Sequence, residues 1–495
     1  MKNDLAAPAA APPETDTGAT RMQDLFTAQQ RAFAAQAWPL ANERRAHLKA
    51  LKRQVGRYQD VLAAAMSRDF GFRAPAESRM LDLLGSMLEL NHAASHLRSW
   101  MKPSRRRTEL LFLTNSVKVS YQPKGVVGVI VPWNFPIYLA LGPLIAALAA
   151  GNRVMIKMSE VTPATNAVLK AMLAEVFDED RVAVVGEELL HPNAFTALPF
   201  NHIVFTGSPA VGRAVMRTAA ENLTPVTLEL GGKSPAVLTR NYSVRDAASR
   251  ITHGKSLNCG QICVAPDYAL VPRESLAEFI AGVKSTFSRF YGKDTTGNHD
   301  YTALVHDRHH QRMLSLLEDA RAKGATVESC APQASGRQMP LHIVSGVKPD
   351  MAIMQEELFG PILPVVPYDT ADDVTAFINS RPRPLALYCF SHDATERETL
   401  LRSTHSGGVT INDWGWHVIN HDAPFGGVGN SGMGTYHGEE GFRELSHART
   451  VFKRHRFFPI DLFYPPYGNL AQRLVLKFFL GKADPALDAP SGNKS

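Results

Sequence analysis

Cys263 is the residue best placed for covalent chemistry. It lies in NCGQICVAPDY, where Gly260 permits a tight backbone approach and Pro266-Asp267 favours a turn, so its thiol falls near a loop or helix start. A thiolate there attacks a carbonyl carbon, and backbone donors with a nearby cationic cofactor lower its pKa into the working range. Without such company a lone thiol is an inert small hydrophobe. Glu229 ends the apolar run VTLEL and is followed by Gly231, Gly232 and Lys233. At the C-terminal edge of a parallel strand a carboxylate faces the ligand crevice, and the glycines let substrate or cofactor approach the backbone, which suits a general base. Taken alone, pairing with Lys233 or capping a helix is an equal alternative. Asn134, in PWNFP, sits between two prolines directly after VVGVIV. The prolines restrict the backbone, so the amide can be held to donate toward a developing oxyanion; a plain asparagine turn is the commoner use.

Two further groups have the spacing of ligand contacts. HIVFTGSPAVG carries Gly207 and Gly212 after a strand, with Ser208 at the next helix start, where free N–H groups receive a pyrophosphate. The spacing is not G-x-G-x-x-G and is a weak signal by itself. Lys157 and Glu160 follow the strand RVMI and are placed either to bond ribose hydroxyls or as ordinary surface residues. Cys259 and Cys263 lie four apart, but no second pair or histidine cluster completes a metal site, so no metal is expected.

These residues need a scaffold, and the pattern around them supplies one. From Pro39 to Met66 apolar residues recur at helical spacing, predicting one or two amphipathic helices. Residues 110 to 132 change to short β-type runs and read as a hairpin with a polar outer strand. Strands and helices then alternate: VVGVIVP, a helix from Pro136, NRVMIKMSE, a helix opened by Thr162 and Pro163, RVAVVG, HIVFTG, a helix from Pro209, and VTLELGG. Such alternation implies a parallel sheet covered on both faces, so residues 126 to 230 form a doubly wound nucleotide-binding candidate, or another open α/β sheet without a cofactor. After Lys233 a second α/β lobe follows, with helices at Ser275–Phe290 and His309–Lys323 and strands near ILPVV, LALYCF and GVTIN. In the basic, aromatic tail, NLAQRLVLKFFL can form a short amphipathic helix, expected to dock on the body or a partner subunit rather than on a membrane.

Bulk properties exclude several classes. At 495 residues the chain holds two or three domains, and a composition of 45% hydrophobic and 20% charged residues is too apolar for a disordered protein. A net charge of +6 spread over so large a surface, without a nucleic-acid motif, makes a nucleic-acid partner unexpected. Four cysteines fit a reducing compartment, and no run reaches the length of a membrane span, so a cytoplasmic enzyme is expected.

In their order along the chain, PWNFP, KMSE, FTGS, ELGGKSP, GQICVAPDY, EELFGP and PFGGVGNSGMG resemble the signature set of the NAD(P)-dependent aldehyde dehydrogenase superfamily, over residues from about 25 to 470. The resemblance implies Cys263 as nucleophile, Glu229 as base, and Asn134 with the Cys263 backbone N–H as oxyanion hole. It implies a cofactor site that includes Trp133, with Lys157 and Glu160 at the adenosine ribose, Gly207 and Ser208 by the pyrophosphate, and Glu357 and Phe359 at the nicotinamide riboside. The cofactor would be NAD, with NADP weaker, and the substrate a small aldehyde, aromatic (coniferyl-like) or medium to long-chain. A coenzyme A-acylating reaction and a non-enzymatic binding role are the alternatives. GQICVAPDY and the YPPYGN tail resemble the class 3 and coniferyl or fatty aldehyde branch, whose members are commonly homodimers. Two departures stand out: Met158 replaces the usual proline of KMSE, and the membrane-spanning tail of some fatty aldehyde enzymes is absent. The expected fold is α/β and aldehyde dehydrogenase-like. It divides into a disordered tail (1–20), a cofactor domain (21–109 and 126–230), a catalytic domain (231–424), a small β oligomerisation element (110–125 and 446–470) and a C-terminal tail (471–495).

Overall fold

The computed structural model describes residues 17–186, 193–332 and 336–481. It divides into two compact units, Met1–Met101 with Gln122–His447, and Lys102–Tyr121 with Ala448–Ser495.

The larger unit is built on two sheets. The first has six strands in the order Gly432–Met433, Val226–Leu230, His202–Gly207, Val126–Ile130, Arg153–Lys157 and Val182–Val185. Neighbours pair in parallel except the short Gly432–Met433, which runs antiparallel to Val226–Leu230. Every residue of these parallel strands except the end residues Val226, Ile130, Lys157 and Gly207 is buried, which explains their β-branched, near-continuous apolar composition. Chain order turns outward in both directions from Val126–Ile130, so the crevice beyond the C-terminal ends of Val126–Ile130 and His202–Gly207 is the topological switch point where α/β sheets bind ligands. The second sheet has seven strands: Thr326–Ser329, His342–Ser345, Ile362–Tyr368, Tyr268–Pro272, Pro235–Leu238, Ala386–Phe390 and Gly408–Ile411. All its pairings are parallel but the first.

The stretch from Pro39 to Met66 forms, from its third residue on, part of a single 29-residue helix, Ala41–Asp69, preceded by the helix Thr17–Ala35. The latter overtakes the last four residues of the expected N-terminal tail; residues 1–16 lie outside the described residues. The helix Pro163–Ala174 begins where Thr162-Pro163 predicts, yet the Thr162 side chain does not cap it. Asp69 does so from the end of its own helix, accepting from the N–H groups of Ala164 and Thr165 and from the Thr165 hydroxyl at 2.6–2.9 Å.

The expected hairpin does not form. Ser116–Pro123 pairs with Ser104–Arg106 in the three-stranded sheet Ser104–Arg106, Ser116–Pro123, Ser446–Lys453, while Val126–Ile130 enters the six-stranded one. Pro123 and Gly125, at φ +140°, turn the chain between the sheets, and Asn152 and Asn201 side chains accept from the N–H groups of Gly125 and Val126. This small sheet belongs to the second unit, whose boundary at Lys102 precedes the expected 110. The expected C-terminal tail opens with an ordered helix, Leu470–Leu480.

Candidate active site

Cys263 follows a strained turn. Asn258, Cys259 and Gly260 take φ values of +49°, +53° and +70° in succession, two of them without glycine's freedom. A side chain at Gly260 would meet the Gly360 and Lys255 carbonyls, so the turn is closed against backbone. Buried groups hold it there: the Glu77 carboxylate accepts from the Asn258 N–H and the Thr302 hydroxyl, and Gln261 bridges the Asn258 and Ala303 carbonyls and the Val305 N–H. The Tyr388 hydroxyl donates to the Val264 carbonyl just beyond the nucleophile candidate.

Asn134 is fixed as tightly. Its side-chain amide donates to the Gln261 carbonyl at 3.2 Å, tying the segment after the central strand to the cysteine loop. Arg73 donates to the Asn134 carbonyl at 3.1 Å and pairs with Asp82 at 2.8 Å, both side chains shut off from solvent. Asp82 in turn accepts from the N–H groups of Ile137 and Tyr138, at the start of the helix Tyr138–Ala150. One buried ion pair thus fixes PWNFP at its centre and just beyond its end.

Glu229 is buried within its strand, and neither carboxylate oxygen has a hydrogen-bond partner. Lys233 does not pair with it. The Lys233 ammonium binds Asp267 and the carbonyls of Ile353 and Glu356, and Asp267 accepts from the Leu358 N–H, so the pair secures the loop that carries Glu357 and Phe359. His309 and Arg312 hold the other edge of that loop through the carbonyls of Phe359, Leu358 and Glu357. Phe359 sits at φ +51° and meets Trp133 edge to face at 5.3 Å.

A crevice of about 960 Å³ runs through these groups. Trp133, Asn134, Gly207, Ser208, Glu229, Cys263, Glu357 and Phe359 all line it. Lys157 and Glu160 do not; Lys157 ends its strand opposite Ile130, and Glu160 is exposed on the loop that follows. Ser208 caps the helix Pro209–Ala220 by accepting from the Val211 N–H, setting a helix N-terminus against the crevice as the FTGS spacing anticipates. Gly231 lies directly against the Glu357 carboxylate, which a side chain there would displace. These features meet the demands of a dinucleotide: a long crevice at the switch point, a helix N-terminus for phosphate, and an unpartnered buried oxygen on Glu357 for a hydroxyl.

A model of the aldehyde dehydrogenase family matches residues 13–451. The chain belongs to the aldehyde dehydrogenase family. A probable coniferyl aldehyde dehydrogenase of Pseudomonas aeruginosa is 50% identical over 460 residues, covering 93% of this chain and 96% of its own. The substrate-bound structure of Staphylococcus aureus AldH matches with a TM-score of 0.87 at 33% identity, over 93% of this chain and 99% of that one. An aldehyde dehydrogenase of Mycobacterium tuberculosis, complexed with NAD+, matches with a TM-score of 0.80 at 28% identity, over 88% and 90%. The fold expected from the seven motifs is the fold found, and the coniferyl side of the expected branch is represented among these relatives.

Within this aldehyde dehydrogenase, burial sets the protonation states. It pushes the Cys263 thiol up to about 12, with the Glu357 and Glu229 carboxylates adding to the effect. Burial also raises Glu229 well above the ordinary carboxyl range and Glu357 to about 8. The thiol is thus neutral at neutral pH.

Met158 has a structural consequence of its own. Its N–H donates to the Val185 carbonyl at 3.0 Å, continuing the strand pairing one residue beyond Lys157; proline there would forfeit that bond. The aromatic residues Trp414, Trp416 and Phe425 stand outside the crevice lining. Trp414 packs on Gly254 and donates to His253, Phe425 stacks on His437, and Trp416 is exposed. What sequence reading missed is the support: Arg73, Glu77, Asp82, Gln261, Asp267, His309 and Arg312. Each acts across a long sequence separation, and only Gln261 and Asp267, both within the cysteine motif, carry a local signal.

Proposed function

We propose that this enzyme oxidises an aromatic, coniferyl-like aldehyde to its carboxylic acid with NAD as cofactor, through a thioester on Cys263. The observation that carries the reading is the convergence of Cys263, Glu229 and Asn134 on one crevice that also holds Gly207, Ser208, Glu357 and Phe359. Cys263 Sγ attacks the aldehyde carbon, and the Asn134 amide with the Cys263 N–H donates to the oxyanion that forms. NAD, when bound, supplies the hydride acceptor and a positive charge that favours the thiolate. Cys263 is then left carrying an acyl thioester. Glu229, whose affinity for a proton is raised by burial, takes a proton from a water that attacks the thioester carbonyl, releasing the acid and the cysteine sulfur.

Trp133 and Phe359 flank the nicotinamide end in this reading, Glu357 accepts from the adjoining ribose, and Lys157 with Glu160 serves the adenosine ribose. Glu160 accepts from ribose hydroxyls and repels a 2′-phosphate, so NAD is favoured over NADP. Comparable kcat/KM for the two cofactors would refute that preference. Four thiols without disulfides agree with a cytoplasmic location; among the described residues no helix is long and apolar enough to cross a membrane. The exposed edge strand Ser446–Lys453 suits pairing with a second copy in a homodimer. Steady-state kinetics with NAD over coniferyl aldehyde, cinnamaldehyde and straight-chain alkanals tests the substrate class. The aryl enals give the higher kcat/KM; preference for alkanals would overturn the aromatic assignment, and absence of NADH with every aldehyde would overturn the reaction.

A further inference from the structure

The smaller unit carries an imbalance that the chemistry does not use. Its described residues hold eleven Lys and Arg against two acids, Glu109 and Asp461, whereas the whole chain has an excess of six. The remainder of the chain is therefore net acidic, and the basic character belongs to this unit. The same short stretch holds twelve of the 25 large hydrophobic side chains exposed among the described residues.

Both features meet in the helix Leu470–Leu480. Leu470, Leu474 and Phe478, spaced i, i+4 and i+8, form one exposed apolar stripe, with Arg473 and Lys477 in the next row around the helix. Phe479 and Leu480 extend the apolar surface at its end, Phe478 being 72% and Leu480 72% exposed. The helix is held from its inner edge: Asn469 and Gln472 form a capping box, the Gln472 amide donates to the carbonyls of Leu462 and Tyr464, and Gly481 closes the end at φ +72°. Nothing among the described residues covers the stripe. Lys453, Arg454 and Arg456 precede it, with Phe457 beneath the Arg456 guanidinium.

At 11 residues the helix spans about 16 Å, too short for a hydrocarbon core of about 30 Å. A short helix with Leu and Phe on one stripe and cations alongside is built to lie in the plane of a bilayer surface. Anionic headgroups are complementary to the charge of this unit, and a second copy has the separate edge strand Ser446–Lys453 to pair with. We propose that Leu470–Leu480 docks on an anionic phospholipid surface, its apolar stripe entering the acyl boundary and its cations contacting the headgroups.

Co-sedimentation of the full chain with vesicles tests this. Vesicles containing one-third phosphatidylglycerol should carry the protein down at low salt and release it at high salt, while pure phosphatidylcholine should not bind it. The pair Arg473→Gln with Lys477→Gln should weaken phosphatidylglycerol binding about 30-fold with turnover unchanged. Leu474→Asp with Phe478→Asp should abolish binding while the light-scattering mass and turnover stay as in the parent. Absence of binding to phosphatidylglycerol, or equal binding to both vesicles, would overturn the proposal. So would loss of oligomeric mass in the Asp variant, which would put a second copy on the helix.

Discussion

The Cys263 thiol, held near 12 by burial and two carboxylates, is a poor nucleophile at neutral pH until the charge around it changes. In the cofactor-free protein its alkylation by iodoacetamide should therefore rise about tenfold per pH unit from 7 to 9, and NAD should accelerate it at pH 7. A rate flat with pH would mean that the thiolate already exists. Cys259, by contrast, is sealed from solvent against the Tyr301 hydroxyl and the Met339 carbonyl. Cys263→Ala should abolish turnover while leaving the thermal midpoint and NAD affinity near the parent values. Cys259→Ala should retain turnover; the reverse outcome would exchange the roles of the two thiols. That Cys263, Glu229 and Asn134 share one crevice was legible because each sits in a short motif whose neighbours, glycines and prolines, constrain it. Lys157 and Glu160 were legible as following a strand, but that they stand outside the crevice lining was not.

Elements explain why the catalytic atoms stay in place. The parallel strands were legible from their apolar runs, because a strand buried on both faces has little freedom of composition. The hairpin was misread because Pro123 and Gly125 mark a turn without saying whether the two strands pair across it, and here the turn hands the chain to another sheet. The Arg73–Asp82 pair was invisible for a different reason: its partners, Asn134, Ile137 and Tyr138, lie some sixty residues away in sequence. Arg73→Leu leaves Asp82 buried without its cation, which costs about 3–5 kcal/mol. Urea unfolding should register that loss, and kcat should fall with it because the Asn134 carbonyl loses its anchor. Unchanged stability would mean that Asp82 is already neutral in the fold, in keeping with burial raising its pKa.

For the whole molecule, the two-unit division assigns the edge strand Ser446–Lys453 and the basic apolar helix to a part distinct from the chemistry. Light scattering should give a dimer mass, and truncation before Phe457 should weaken association before it affects NAD binding; a concentration-independent monomer would remove the dimer. The chemistry itself reduces to one covalent species. In Glu229→Gln, deacylation becomes limiting, so rapid mixing with NAD and coniferyl aldehyde followed by acid quench and peptide mass spectrometry should find the acyl group on the peptide bearing Cys263, accompanied by a burst of NADH equal to the enzyme present. An unmodified Cys263 peptide despite NADH formation, or an acyl group on Cys259, would contradict the thioester on Cys263.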